Sequence, residues 1–86
     1  MHDARLRERI TVDPDVMVGK PVIRGTRIPV ALILKMLGQG IGIEEILREY
    51  PRLERADVDA ALIYAAQVLE HEEVFPLPAT SDAVPA

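Results

Sequence analysis

The stretch that decides the fold spans residues 19–30 and reads Gly19-Lys20-Pro21-Val22-Ile23-Arg24-Gly25-Thr26-Arg27-Ile28-Pro29-Val30. Two short runs of β-forming residues, 21–23 and 27–28, lie on either side of Gly25. Glycine can adopt the positive φ that a tight reversal of the chain needs. The stretch therefore predicts a small β-hairpin or a pair of bent strands. Three cations lie near its tip: Lys20, Arg24 and Arg27.

A further strand is predicted upstream of this hairpin. Residues 10–12 are Ile-Thr-Val, and the Asp-Pro-Asp sequence of residues 13–15 ends this β-forming run with a turn. A second apolar run, residues 16–18, follows the turn. The strand at 10–12 can pair with residues 22–23 or with residues 27–28, within one chain or across a dimer. The sequence leaves these alternatives open.

Three helices are predicted after the hairpin, at about residues 29–37, 43–50 and 55–70. Pro29 suits the first position of the first helix because its φ is fixed near the helical value. The glycines of residues 38–40 end that helix, and Pro51 ends the second. In the second and third helices, apolar residues recur every three or four positions, as one face of a helix requires.

The predicted fold class is therefore mainly α. Short N-terminal strands within about residues 10–28 precede a three-helix bundle of the helix-turn-helix type. Residues 1–71 form this single domain, and the proline-rich residues 72–86 form a flexible tail. The chain has only three aromatic residues, so its core must be aliphatic. A domain this small buries only about 60% of its unfolded surface, which favours a homodimer.

The charge of the chain is unevenly distributed. Residues 1–40 contain seven Lys and Arg against four Asp and Glu, whereas residues 41–86 contain three against ten, and the whole chain has a net charge of −4. This asymmetry indicates a basic contact face combined with an acidic face or tail. An ordinary fluctuation of charge in a short chain explains it equally well.

Catalysis finds little support in the sequence. The chain contains no cysteine, and its two histidines, His2 and His71, do not form a set of converging metal ligands. The only serine, Ser81, lies in the predicted tail, so no Ser-His-Asp arrangement is expected. We therefore predict a binding protein, with no enzymatic activity, cofactor, metal or small-molecule substrate.

The cations of the hairpin are the best nucleic-acid candidates. Lys20, Arg24 and Arg27 lie on a rigid β element, and β-ribbons can enter the major groove of DNA. The alternating arginines of residues 5–9 could contact phosphates beside them. In the alternative interpretation, Arg24 and Arg27 pair with carboxylates, either the aspartates of residues 13–15 or acids of a second subunit.

The third helix is a weaker candidate for reading DNA. Recognition helices place their N-terminal residues on base edges, and here that end contains the carboxylates of Glu54, Asp57 and Asp59. These carboxylates would face the phosphates of the groove, which is unfavourable. Only Arg55 favours DNA contact at this end. Glu54 is also a poor N-cap residue, which Asp57, three positions on, partly compensates.

The predicted tail offers a possible docking segment for a protein partner. Phe75 and Leu77 are apolar residues on either side of a proline in an acidic segment. Such a segment can fold onto a basic partner. The alternative is a chain end without a binding role, which is common.

The sequence also resembles a known family. The resemblance covers about residues 8–70 and rests mainly on the run at residues 19–30, together with the motifs Leu37-Gly38, Glu45-Ile46-Leu47, Tyr50-Pro51 and Ala60-Ala61-Leu62. These residues resemble the DUF433 family. The resemblance implies a helix-turn-helix or homeodomain-like fold and a role similar to that of VapB-class antitoxins of type II toxin–antitoxin pairs.

By this resemblance, the expected partner is a PIN-like ribonuclease toxin, and the chain would also bind DNA to repress its own operon. A stand-alone DNA-binding regulator and a dimeric interaction domain are the alternatives. No signal segment opens the chain, and no apolar run approaches the roughly 20 residues of a membrane span. We therefore expect a cytoplasmic protein.

Overall fold

A computed structural model describes the backbone of residues 2–71 and the side chains of residues 5–71. The expected tail, with Phe75 and Leu77, lies outside the described residues. The described elements, in chain order, are α1 (His2–Arg7), β1 (Ile10–Thr11), a single 3-10 turn (Met17–Gly19), β2 (Val22–Ile23), α2 (Val30–Gly38), α3 (Ile43–Glu49) and α4 (Arg55–His71). This architecture confirms the predicted fold class, mainly α with a short N-terminal hairpin. None of these helices combines the length and apolar content that crossing a bilayer requires.

The strands form a small antiparallel sheet within one chain. β1 pairs with β2 in a register that places Ile10 opposite Ile23 and Thr11 opposite Val22. On its other side, Val22 forms an antiparallel bridge with Pro29. The predicted reversal of the chain lies between Val22 and Pro29, and Gly25 within it has a φ of +81°. The strand at the N-terminus thus pairs with the first arm of the hairpin.

Thr26 stabilises this reversal from within. Its hydroxyl group donates a hydrogen bond to the carbonyl oxygen of Ile23 (2.8 Å) and accepts one from the N–H group of Ile28 (2.9 Å). The N–H group of Ile23 donates to the Ile28 carbonyl across the turn (3.0 Å). We call residues 24–26 the Gly25 turn. Its backbone is fixed by hydrogen bonds on both sides.

The ends of α2 follow from its flanking residues. Pro29 precedes the helix and has an extended conformation with ψ at 143°, because it still belongs to the small sheet. The predicted helix start is therefore one residue too early. At the other end Gly40 has a φ of +90°. The N–H groups of Gly40 and Ile41 bond the carbonyls of Leu37 and Met36, both at 3.0 Å, which is a Schellman motif.

The core lies between the sheet and helices α2, α3 and α4. Its largest fully buried side chains come one each from β2, α2, α3 and α4: Val22, Ile33, Ile46 and Val58. Every other buried apolar residue of the described chain is Leu, Ile, Val, Met or Ala. The prediction of an aliphatic core is confirmed, and Tyr50 and Tyr64 pack only at its edge.

The apolar stripe of α4 divides into two parts. Val58, Ala60 and Ala61 are buried in the core, all within the first two turns of the helix. Beyond them, Leu62 is 45% exposed and Leu69 65% exposed. The second half of α4 therefore extends beyond the core of the single chain with part of its apolar face uncovered.

The apolar run at residues 16–18 forms a left-handed turn. Met17 and Val18 have φ values of +52° and +57°, and Gly19 continues at +80°. A positive φ is a rare and strained conformation for a β-branched residue. Val18 is also 91% exposed, so burial does not compensate the strain. Patterning alone did not predict this turn.

Truncation of a fully buried core residue should destabilise the protein strongly. For Ile46→Ala we expect a loss of about 2 to 5 kcal/mol in the free energy of unfolding, since lost burial and a cavity both contribute. Glu49→Ala is the control, because Glu49 is exposed on the same helix and forms no ion pair with any of residues 5–71, and it should change stability by less than about 0.5 kcal/mol. Urea denaturation followed by circular dichroism measures both. Equal losses would contradict the assignment of the core.

Candidate nucleic-acid interface

Arg9 connects the N-terminal segment to the start of α4. Its Nη1 atom donates hydrogen bonds to Asp57 Oδ1 at 3.0 Å and to Glu54 Oε1 at 3.1 Å. These bonds to Asp57 and then Glu54 raise the pKa of Arg9, so the guanidinium group remains charged in the folded protein. The Arg9 carbonyl accepts a hydrogen bond from the Arg24 N–H group at 2.7 Å. Arg9 thus holds both the Gly25 turn and α4.

Asp57 is a buried carboxylate with a structural role. It is only 5% exposed. One oxygen accepts from Arg9, and the other accepts a hydrogen bond from the backbone N–H group of Glu54 at 2.8 Å. In a capping box, the side chain three positions after the N-cap, usually Glu or Gln, accepts a hydrogen bond from the N-cap N–H group. Asp57 plays this part for the N–H group of Glu54. Asp57 was expected to compensate for Glu54 through the helix dipole, and in the structure it also does so through this hydrogen bond.

The remaining arginines of the N-terminal segment have different surroundings. The guanidinium carbon of Arg7 lies 4.6 Å from the centroid of the Tyr64 ring, a cation–π distance. Arg9 is occupied by two carboxylates. The idea that arginines 5, 7 and 9 act together on phosphates therefore does not hold for Arg9. Arg5 and Arg9 both line one surface groove.

The cations of the hairpin are exposed. Lys20, Arg24 and Arg27 form no ion pair and no side-chain hydrogen bond with any of residues 5–71. In particular, neither arginine pairs with Asp13 or Asp15. Among residues 5–71, the expected alternative of pairing with Asp13 or Asp15 is thus absent, whereas pairing with acids of a second subunit stays an alternative.

Arg52, in the loop between α3 and α4, belongs to the same surface. Its Nη2 atom donates a hydrogen bond to the carbonyl oxygen of Gly25 at 2.9 Å. The sequence did not predict Arg52 as a binding residue, because no local pattern indicates a contact between residues 27 positions apart. Its hydrogen bond brings a third guanidinium group to the Gly25 turn, beside those of Arg24 and Arg27.

Two grooves lie on either side of Arg52. The larger, of about 880 Å³, is lined by four arginines and three acids; we call it the acid-containing groove, and its charged residues are Arg5, Glu8, Arg9, Arg24, Arg52, Glu54 and Asp57. The smaller, of about 440 Å³, we call the acid-free groove; it is lined by Thr11, Val16, Val22, Gly25, Thr26, Arg27 and Arg52. Arg24 and Arg27 therefore face different surroundings although both flank the same turn.

The other predicted nucleic-acid residues lie apart from these grooves. Arg55, in the first turn of α4, has its Nε atom 3.8 Å from Asp59 Oδ1. Neither Arg55 nor Lys20 lines either groove. Among the predicted cations, the structure therefore brings Arg24 and Arg27 together with Arg52 around the Gly25 turn.

The comparisons with known proteins agree with this architecture. A family model described as "Protein of unknown function (DUF433)" matches residues 10–65. The chain belongs to the DUF433 family. The crystal structure of a DUF433 member protein from Anabaena variabilis is similar to this chain, with 37% sequence identity and a TM-score of 0.70, and the match covers 78% of this chain and 66% of that one.

Two curated relatives are also similar in sequence. "Uncharacterized protein y4eO" of Sinorhizobium fredii is 39% identical over 62 residues, which cover 72% of this chain but only 28% of the relative. An uncharacterized protein of Archaeoglobus fulgidus is 78% identical over 23 residues, which cover 27% of this chain and 64% of the relative. This chain thus spans less than two thirds of the length of either relative.

Loss of the Asp57 carboxylate should destabilise the protein more than loss of the Asp59 carboxylate, which lies two positions further along α4. Asp57→Ala removes the hydrogen bonds to Arg9 and to the Glu54 N–H group, and we expect a cost of about 2 kcal/mol in the free energy of unfolding. Asp59→Ala is the matched control, since it removes only an exposed i,i+4 contact with Arg55 worth less than about 0.5 kcal/mol. Chemical denaturation measures both variants. Equal stability of the two would show that the Arg9–Asp57 pair contributes nothing.

Proposed function

We propose that this DUF433 protein is the antitoxin of a type II toxin–antitoxin pair. It acts in the cytoplasm as a binding protein, neutralises a PIN-like ribonuclease toxin and represses its own operon by binding DNA. One observation carries the DNA-binding part: the guanidinium groups of Arg24, Arg27 and Arg52 lie around the rigid Gly25 turn, and none of the three has an acidic partner among residues 5–71.

Exposed arginines on a fixed turn suit the backbone of a nucleic acid. A guanidinium group offers a planar set of N–H donors that matches phosphate oxygens, and it does not lose its charge at any physiological pH. The Gly25 turn is held by the hydrogen bonds of Thr26 and Arg52, so it loses little conformational entropy when it binds a ligand. Lys20 extends the basic surface at the other end of the hairpin.

The start of α4 is less suited to the same role. Asp57 and Glu54 bind Arg9, and Arg55 contacts Asp59. The single exposed cation at this helix end is thus partly neutralised, and a DNA phosphate there would meet carboxylates. Contact through the hairpin, and not through a recognition helix of the usual kind, is the mode of binding that we propose.

The toxin-binding part rests on the family resemblance and on charge. A ribonuclease needs a positive groove for the phosphates of RNA, and residues 41–86 of this chain contain ten acids against three arginines. Phe75 and Leu77 would supply apolar contacts within this acidic half. A homodimer also belongs to the proposal, with the uncovered apolar face of α4 (Leu62, Val68 and Leu69) packed against a second copy.

A stand-alone DNA-binding regulator is the second candidate. The basic surface around the Gly25 turn favours it, because this surface requires no toxin in order to bind DNA. A dimeric interaction domain that binds neither DNA nor a toxin is the third. The presence or absence of a PIN-like gene beside this one separates the first two candidates, and a DNA-binding assay separates the third from both.

The protein should bind its own promoter DNA in a salt-dependent manner. In a gel-shift series across salt concentrations, affinity should fall with a log–log slope that corresponds to several phosphate contacts. A DNA fragment of unrelated sequence is the control and should be bound more weakly. The absence of any shift at low salt would remove DNA binding from the proposal.

The protein should co-purify with the product of an adjacent PIN-like gene. Replacement of both Phe75 and Leu77 by serine should weaken that complex because the apolar contacts are lost, whereas Val84→Ser, in the same segment of the chain, should not. Co-expression, affinity purification through the toxin and sizing of the complex measure this. Full retention of the double variant would contradict the role of Phe75 and Leu77, and failure of the wild-type chain to bind would contradict the antitoxin function.

A further inference from the structure

Of the two grooves beside Arg52, one is lined in part by acidic residues and the other is not. The acid-containing groove includes the carboxylates of Glu8, Glu54 and Asp57. Arg9, which lines the same groove, is shared between two of them. An anion that entered there would be close to these negative charges. The acid-free groove contains two arginines and two threonines and no carboxylate. Of the two grooves, only the second has arginines in its lining and no carboxylate beside them.

The polar groups of the acid-free groove are held in place before any ligand binds. The Thr26 hydroxyl group is fixed between Ile23 and Ile28. Arg52 uses one N–H group on the Gly25 carbonyl, and a guanidinium group has five such donors. Thr11 belongs to β1, which is paired with β2. Positioned donors bind an anion with a smaller loss of entropy than mobile ones.

The backbone of the Gly25 turn is open to a ligand. A Cβ atom at Gly25 would have no atom within 4 Å from residues other than its chain neighbours Arg24 and Thr26, so no other part of the described chain covers this side of the turn. The N–H groups of Gly25 and Arg27 donate no hydrogen bond to any residue in the described part of the chain. Free N–H groups in a turn are common components of phosphate-binding sites.

We propose that the acid-free groove binds a phosphate group between Arg27 and Arg52, beside the turn at Gly25. The phosphate belongs to the sugar–phosphate backbone of DNA, and this choice of ligand rests on the proposed function. Free inorganic phosphate has the same chemistry and is the second possible source. Arg24 contributes only to the long-range positive field, because it faces the acid-containing groove.

Arg24 and Arg27 form a matched pair for a test. Both are exposed, both flank the same turn, and both lose one positive charge on replacement by alanine. In gel shifts across a salt series, Arg27→Ala should weaken DNA binding and reduce the salt slope by about 1, as loss of one phosphate contact does. Arg24→Ala should change the slope by clearly less, and Arg48→Ala, on α3 outside both grooves, should not change it.

A second variant tests the role of Arg52 without removing its charge. Arg52→Lys keeps the cation but loses the planar set of donors, so it should weaken DNA binding although the net charge is unchanged. Thermal unfolding of each variant shows whether the fold is intact. If Arg24→Ala and Arg27→Ala reduce the slope equally, or if Arg52→Lys binds DNA as the wild type does, the phosphate site is not in the acid-free groove.

An NMR titration of the wild-type chain distinguishes the two sources of phosphate. The amide signals of Gly25, Thr26 and Arg27 should shift with inorganic phosphate and, at lower concentration, with a short DNA duplex. Shifts with inorganic phosphate, together with no binding of DNA by any measure, would support the groove but contradict DNA as its ligand, and with it the DNA-binding part of the proposed function. DNA binding that leaves these three signals unmoved would overturn the groove and leave the proposed function intact.

Discussion

The contact on which the rest of the structure depends is the hydrogen bond between Arg9 and Asp57. It joins residues that are 48 positions apart and fixes two elements at once. Through its side chain Arg9 holds the first turn of α4, and through its carbonyl oxygen it holds the backbone of the Gly25 turn. This double contact, together with the burial of Ile10 and Ile23 in the core, positions the small sheet relative to the helices. A sheet with strands of two residues each has too few hydrogen bonds of its own to define that position.

The arginines of this protein have different roles although they are chemically identical. Arg9 lies between two carboxylates, and Arg7 lies over an aromatic ring. Both therefore stabilise the packing of the N-terminal segment on α4. Burial of the Asp57 carboxylate would be costly without a partner, but its oxygens are satisfied, and no buried side-chain polar atom lacks a hydrogen bond in the described chain. Arg24, Arg27 and Arg52 remain at the surface, where the lack of an ion pair with any of residues 5–71, and not residue type, makes them available for binding.

Local patterns predicted α2, α3 and α4 well, did not predict α1, and predicted the long-range contacts poorly. The positions of α2, α3 and α4 follow from apolar periodicity, from Pro51 and from glycines such as Gly40, all of which act within a few residues. The reversal at Gly25 was predicted for the same reason. The Arg9–Asp57 pair and the Arg52–Gly25 hydrogen bond were not, because their partners are distant in sequence and any of several acids or carbonyls would fit the pattern equally well. The candidate surface was therefore predicted in part, without Arg52.

The left-handed turn at residues 17–19 leaves the protein below the highest stability that its fold allows. Val18 contacts little of the protein and holds a backbone conformation that a β-branched residue tolerates poorly. Asparagine adopts that conformation more readily than valine does, and it does so without the large conformational entropy that glycine has in the unfolded chain. A more robust version of this domain can therefore be sought by engineering outside its core, at a surface position where no packing has to be rebuilt.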